Sequence, residues 1–178
     1  MLRRMRPDEY EGVYEIMNEA FPADEKRTFD EEKELLSNPS FEILVWQDAE
    51  SKKIKGFITS YRMNGFRFIE HFAVGAKYRN EGIGKAVLGE LCKADERLCL
   101  EVEPPVTEQA VRRIEFYRRN GFSLNPYPYV QPPISKGTNA IPLMIMTTGG
   151  EVDEAEFTRI RRALYLDVYR VRADETFL

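Results

Sequence analysis

The hexapeptide Arg79-Asn80-Glu81-Gly82-Ile83-Gly84 constrains the fold more than any other stretch, because it joins a run ending in Phe72-Ala73-Val74 to a helix-patterned segment, Lys85 through Ala94. Glycines at 82 and 84 let the backbone approach a bulky anion without Cβ clashes. A helix starting there directs unpaired N–H groups and its positive dipole end at the ligand. A diphosphate fits such a turn, although an ordinary strand-to-helix connection uses glycines in the same way. Two phosphate motifs are excluded. Val87 stands where a dinucleotide fingerprint needs its third small residue, and Gly84-Lys85 is followed by Ala86 where a nucleotide-hydrolase loop needs Ser or Thr.

The chain has 178 residues, 43% hydrophobic and 31% charged, enough for one well-filled core. No apolar run approaches the roughly 20 residues that cross a bilayer, and Met1-Leu2-Arg3-Arg4-Met5-Arg6-Pro7-Asp8 lacks the apolar centre of a signal peptide. The expectation is a cytoplasmic protein with no membrane partner. Cys92 and Cys99 lack metal-ligand spacing and read as reduced core residues. With His71 the single histidine, a histidine-rich zinc site is excluded and no metal is expected. The net charge is −4, and residues 1–40 carry eleven Asp and Glu against six Lys and Arg. No basic stripe with interleaved aromatics exists, which argues against nucleic acid.

Along the chain, Leu2 to Met5 reads as a short strand, and Pro7 with Asp8 and Glu9 opens a helix whose apolar face is Tyr10, Val13, Tyr14, Met17 and Phe21. A second helix runs from Thr28 to Leu36, before Asn38-Pro39. Phe41–Trp46, Ile54–Tyr61 and Phe66–Val74 form an antiparallel meander. A helix over 82–96 then returns the chain so that Leu98–Glu103 lies parallel to 66–74. Thr107 caps a helix over 108–119 that stops at Asn120-Gly121, with Tyr117 in its last turn. Phe122–Val130 and Ile141–Thr147 read as the closing strands, separated by a Pro/Ser/Gly loop at 132–138. After Gly149-Gly150, Phe157, Ile160, Leu164, Val168 and Val171 make an apolar stripe at helical spacing. It packs either on its own core or on a second copy, as a homodimer.

The combination R-x-x-G-x-G after a small-apolar strand end, with Phe116-Tyr117-Arg118-Arg119-Asn120-Gly121-Phe122 some thirty residues later, resembles the GNAT superfamily of N-acyltransferases. The resemblance spans about residues 1–148. It implies an α/β (α+β) fold, a mixed, mostly antiparallel central sheet of about six to seven strands with helices on both faces. Residues 149–178 are then an extra C-terminal helical extension. It also implies an N-acetyltransferase that passes an acetyl group from acetyl-CoA, its cosubstrate, to a primary amine of a small molecule or peptide. The cosubstrate would be held by Phe72, Ala73 and Val74 along its arm and by Arg79, Asn80, Glu81, Gly82, Ile83, Gly84 and Lys85 at its pyrophosphate.

In the family pattern Tyr117 matches the tyrosine that protonates the leaving thiolate, a role its ordinary pKa of about 10 allows. An alkylamine with pKa near 10.4 must lose a proton before attack, so a carboxylate base is needed. Glu70 and Glu103 are the first candidates. Glu70 and His71 precede Phe72-Ala73-Val74 where polyamine-type members carry an acidic pair, and Glu101 and Glu103 share one face of the next strand by the period-two rule. The same rule sends Glu70 and His71 to opposite faces. Ala110 stands where many members hold the coenzyme with asparagine, with Arg112 and Arg113 nearby. The competing class is a non-catalytic acyl-CoA-binding regulatory module that keeps the cradle and lacks the base.

Overall fold

The computed structural model describes residues 1–93 and 97–172, and it divides into two compact units, Met1–Glu96 and Arg97–Leu178. Among the described residues there are eight strands, every pair with a described register is antiparallel, and no helix is long and apolar enough to cross a membrane. The fold is the mixed α/β, mostly antiparallel class implied by the sequence.

In the first unit, β1 (Leu2–Arg4), β2 (Phe41–Gln47), β3 (Ile54–Met63) and β4 (Phe66–Val74) pair in order, each antiparallel to the last. Phe41, Ile43 and Val45 of β2 are buried at alternate positions, as expected of a strand with one face on a core. Helix α1 (Tyr10–Ala20) packs on β3 and β4 through Tyr10, Val13 and Met17. Helix α2 (Phe29–Glu34) is only 6 residues, but Thr28 and Glu31 close a reciprocal capping box at its start. It tightens into a 3-10 turn over Leu35–Ser37, so the helix expected to reach Leu36 ends in that tighter form. Helix α3 (Ile83–Leu91) buries Ile83, Val87, Leu88 and Leu91. It ends at Leu91, with Cys92 and Lys93 already in a turn, short of the expected 96; residues 94–96 lie outside the described part.

The register of β3 on β4 contains one irregularity with large consequences. Thr59 faces His71 and Ser60 faces Ile69, leaving Glu70 as an extra residue without a cross-strand partner. Such a bulge breaks the period-two alternation and re-aims a side chain. The expectation that Glu70 and His71 point to opposite faces is thereby corrected: their side chains lie 3.6 Å apart.

In the second unit, β5 (Arg97–Val102) pairs with β8 (Ile141–Thr148), which also carries β6 (Phe122–Leu124) and β7 (Tyr129–Gln131). The single strand expected over 122–130 is two, since Pro126 and Pro128 remove backbone donors a ladder would need. Asn125 makes the break tolerable. Its fully buried amide donates to Ile145 O and Thr147 Oγ1 at 3.0 and 3.1 Å, while its carbonyl accepts from Val152 N at 2.9 Å. Helix α4 (Glu108–Arg119) is capped by Thr107 and buries Ala110, Ile114 and Tyr117.

Beyond Gly150, Asp153 caps α5 (Glu154–Ala163), which runs into a π-helical turn over Leu164–Val168. Phe157, Ile160, Leu164, Tyr165 and Val168 of this extension are buried within the chain itself. The wider π turn alters the α periodicity, so Val171, expected to continue the stripe, is only half-buried. Its last residues, 173–178, lie outside the described part. Cys99 is buried, whereas Cys92 at the end of α3 is exposed, which corrects its assignment to the core.

Candidate functional site

Two local arrangements in the first unit and one in the second carry chemistry. The first is the turn from β4 into α3. Asn80 and Gly82 both take positive φ, 67° and 74°, and Gly82 caps α3 with no side-chain hydrogen bond to the helix start. The first helical bond is Ala86 N–H to Gly82 O, so the N–H groups of Ile83, Gly84 and Lys85 precede any helical acceptor. A Cβ built on Gly82 would meet nothing within 4 Å, which leaves room for a bulky anion over the helix start. Arg79, Asn80, Glu81, Gly82 and Lys85 are exposed. Ile83 is buried and offers only its backbone. Glu81 would oppose an anion, but its carboxylate is paired with Lys55 Nζ at 3.2 Å, which also meets Asp48 at 3.0 Å. Upstream, Phe72 and Val74 are half-buried and Ala73 is buried in β4.

The second arrangement is a buried polar cluster between α2 and the β4 bulge. Arg27 Nη1 donates to Glu70 Oε1 at 2.6 Å and lies 3.7 Å from Glu32 Oε2. The Arg27, Glu32, Glu70 and His71 side chains are 7%, 0%, 2% and 2% exposed. Among the described residues, no hydrogen bond reaches either oxygen of Glu32 or the second oxygen of Glu70. Burial first, and then the neighbouring Glu70 charge, push the Glu32 carboxyl up to about 8, against the opposing pull of Arg27.

The state of His71 follows from its partners. Nε2 lies 2.8 Å from Glu25 O, which can only accept, so Nε2 carries the proton. Nδ1 then accepts from Thr59 Oγ1 at 3.0 Å, and the same oxygen accepts the His71 backbone N–H. Burial lowers the imidazole pKa further, so the ring is neutral. Ligand atoms of Glu32, Glu70 and His71 lie within 4.8 Å of one another, a spacing that could hold a metal ion. The donor set fits one poorly. The His71 ring nitrogen is engaged by Thr59, and a guanidinium already supplies positive charge to both carboxylates.

The backbone around this cluster is held from three sides. Tyr10 and Tyr14 of α1 donate to Phe29 O and Arg27 O at 2.7 and 2.9 Å, and His71 holds Glu25 O. Sequence reasoning found Glu70 and His71 here and missed Arg27 and Glu32. Within the acidic run Asp30-Glu31-Glu32, only Glu32 falls on the inward face with Phe29 and Leu35, at i±3.

The third arrangement belongs to the second unit. Tyr117 is buried in the last turn of α4, with Phe122 edge-on at 5.5 Å, and no hydrogen bond to another described residue engages its hydroxyl. Burial pushes its pKa up to about 12, opposed by Arg113. Glu103 lies just past β5, 41% exposed, and accepts from Arg113 at 3.0 Å. Glu101 lies inside. Its two oxygens accept separately from Tyr129 and Tyr169, the latter at 2.7 Å. Glu101 and Glu103 therefore differ in environment although the strand period puts them on one face.

The sequence model of the Acetyltransferase (GNAT) family matches residues 10–122. A search of curated proteins gave no match. Among solved structures, a protein of Bacteroides thetaiotaomicron assigned to the GNAT acetyltransferases is 34% identical, covering 97% of this chain and 99% of that one at a TM-score of 0.88. A mutant form of the spermidine N-acetyltransferase of Vibrio cholerae is 13% identical at a TM-score of 0.62, covering 83% of this chain and 94% of that one. The ribosomal-protein-S18-alanine N-acetyltransferase of Escherichia coli is 17% identical at a TM-score of 0.62, with 86% and 96% covered. These last two share the fold. The match over 10–122 and the 34% identity across nearly the whole chain place this protein in the GNAT acetyltransferase family, and make it an acyltransferase.

Proposed function

We propose that this protein transfers the acetyl group of acetyl-CoA to a primary amine of a small molecule or peptide, in the cytoplasm. The observation that carries the reading is the start of α3, where three backbone N–H groups precede any helical acceptor above an open Gly82. Backbone amides there suit a pyrophosphate, the exposed Arg79 and Lys85 add positive charge, and the β4 backbone at Phe72–Val74 suits the pantetheine arm. When bound, acetyl-CoA supplies a thioester whose carbonyl carbon the amine attacks.

Tyr117 serves the leaving sulfur. With its pKa raised to about 12, the hydroxyl keeps its proton at any working pH. Complete transfer to a thiolate whose conjugate acid has pKa about 8.5 would be uphill by on the order of 5 kcal/mol. The hydroxyl therefore acts as a hydrogen-bond donor to developing negative charge. For the base, Glu70 is favoured over Glu103. Glu70 is buried with one oxygen lacking a hydrogen bond, whereas Glu103 is half in water beside Arg113. The acidic first forty residues favour a cationic acceptor.

Replacing Gly82 by Glu tests the cradle. The residue would have to hold φ near 74° and place a carboxylate over the N–H groups. Acetyl-CoA affinity by calorimetry is expected to fall about 100-fold or more, an effect of lost anion recognition. Unchanged affinity would remove the assignment.

A further inference from the structure

The cluster around the β4 bulge contains more acceptors than donors. Three carboxylate oxygens, Glu32 Oε1, Glu32 Oε2 and Glu70 Oε2, receive no hydrogen bond from another described residue. Buried polar atoms are rarely left this way, and three in one place point to a missing set of donors. The charges are also unbalanced. With both carboxyls ionised, neutral His71 and cationic Arg27 leave one net negative charge among side chains no more than 7% exposed, a costly arrangement. The Arg27–Glu70 contact at 2.6 Å satisfies one oxygen only, and Arg27 stands 3.7 Å from Glu32, beyond hydrogen-bond reach.

We propose that Glu32 and Glu70 form a subsite for a primary ammonium, which holds one proton when empty and exchanges it for the ammonium when filled. An alkylammonium carries three N–H donors, the number of orphaned oxygens. Both states are neutral: one proton, one carboxylate and Arg27 when empty; two carboxylates, Arg27 and the ammonium when filled. A quaternary ammonium has the charge without the donors and would leave the oxygens unsatisfied. A divalent cation would leave a net positive charge beside Arg27. The inference rests on the acetyltransferase reading and names the residues that would recognise its primary amine as the ammonium.

The surrounding groups fit this exchange. Arg27 and Glu70 face Glu32 directly, Tyr10 and Tyr14 face it from α1, and His71 faces Glu70 from β4. Tyr61 of β3 acts on Arg27. The phenols of Tyr10 and Tyr14 are both held protonated by burial and by the Glu32 charge, so Glu32 is the group here that changes state near neutrality. Tyr10, Tyr14 and His71 hold the backbone carbonyls of Phe29, Arg27 and Glu25, which fixes the turn that sets Arg27 beside the two carboxyls.

The test is calorimetric titration of the full chain with n-butylammonium chloride at pH 7, with and without saturating coenzyme A, in buffers of different ionisation enthalpy. The expected result is saturable binding with release of about one proton per amine, the linkage signature of a carboxyl that ionises on binding. Glu32→Gln should weaken binding about tenfold or more and abolish the release, with coenzyme affinity unchanged as the control for folding. Butyltrimethylammonium should bind at least tenfold more weakly. Binding without proton release, equal binding by the quaternary ion, or an unaltered Glu32→Gln variant would overturn the subsite while leaving the acetyltransferase reading intact. So would no binding in either condition, or saturable uptake of manganese or zinc chloride that Glu32→Gln abolishes. Failure of the acetyltransferase reading is read separately, as absence of thiol release from acetyl-CoA with every amine.

Discussion

Each unit of this protein sets a carboxylate among its packed elements, one half-buried and one fully buried, and the two are treated in opposite ways. Glu101 in the second unit receives a phenol hydroxyl on each oxygen, from Tyr129 and Tyr169, so its charge is dispersed over two donors. Glu32 in the first unit is more deeply buried and receives no hydrogen bond from another described residue. A carboxylate with its donors in place holds elements together; here it ties the C-terminal extension to β5. A carboxylate without them is poor mortar, because its burial is not compensated within the chain. That contrast is why Glu101 reads as structural and the Glu32–Glu70 pair as poised for a ligand.

Substitutions should separate the two sharply. Glu101→Ala leaves two buried hydroxyls without their acceptor and should lower stability by on the order of 4 kcal/mol, read from the urea midpoint. Tyr169→Phe removes one donor to a charged group and should lose about 2 kcal/mol, releasing the extension to proteolysis first. If either variant were as stable as the native chain, the clasp would not be what fixes the extension.

Glu32→Gln should behave differently, with a sign set by pH. The folded carboxyl titrates at about 8 and the unfolded one near its ordinary value of 4.5. Between those values the unfolded chain has released a proton that the folded chain keeps, so stability falls as pH rises from 4.5 to 8 and stays reduced above. The variant should remove that slope and be as stable as the native chain or more so at pH 9, by on the order of 1 kcal/mol. His71 slopes the other way. Its lowered pKa means the unfolded chain binds a proton first, so stability drops as pH falls below about 6.5. Smallest of all, Glu103→Gln breaks a half-exposed pair with Arg113 and should change stability by less than about 1 kcal/mol, and less still in high salt.

What the sequence made legible, and what it hid, follows from range. The α3 turn was visible because Gly82 and its neighbours announce a backbone conformation locally, and φ of 74° bears that out. The caps at Thr28 and Thr107 and the stop after Tyr117 are local as well. The β4 bulge left no mark in composition, and without it Glu70 and His71 were assigned to opposite faces. Glu32 was hidden because its partner Glu70 lies 38 positions away by number and its own neighbours, Asp30 and Glu31, read as a solvated acidic face. The prolines at 126 and 128 were legible and were passed over in favour of one long apolar strand. The π turn that seats Tyr165 and Tyr169 breaks a periodicity that single-sequence patterning assumes to be constant.

The central claim is that a primary amine attacks acetyl-CoA on this protein with Tyr117 assisting the departing sulfur. Thiol release from acetyl-CoA should be measured against a panel of primary amines, amino acids and short peptides, for the native chain and Tyr117→Phe. The account predicts release that depends on a primary amine and falls about 100-fold in the variant, with acetyl-CoA affinity unchanged. Tight acetyl-CoA binding with no amine-dependent release, or equal release by the variant, would contradict it.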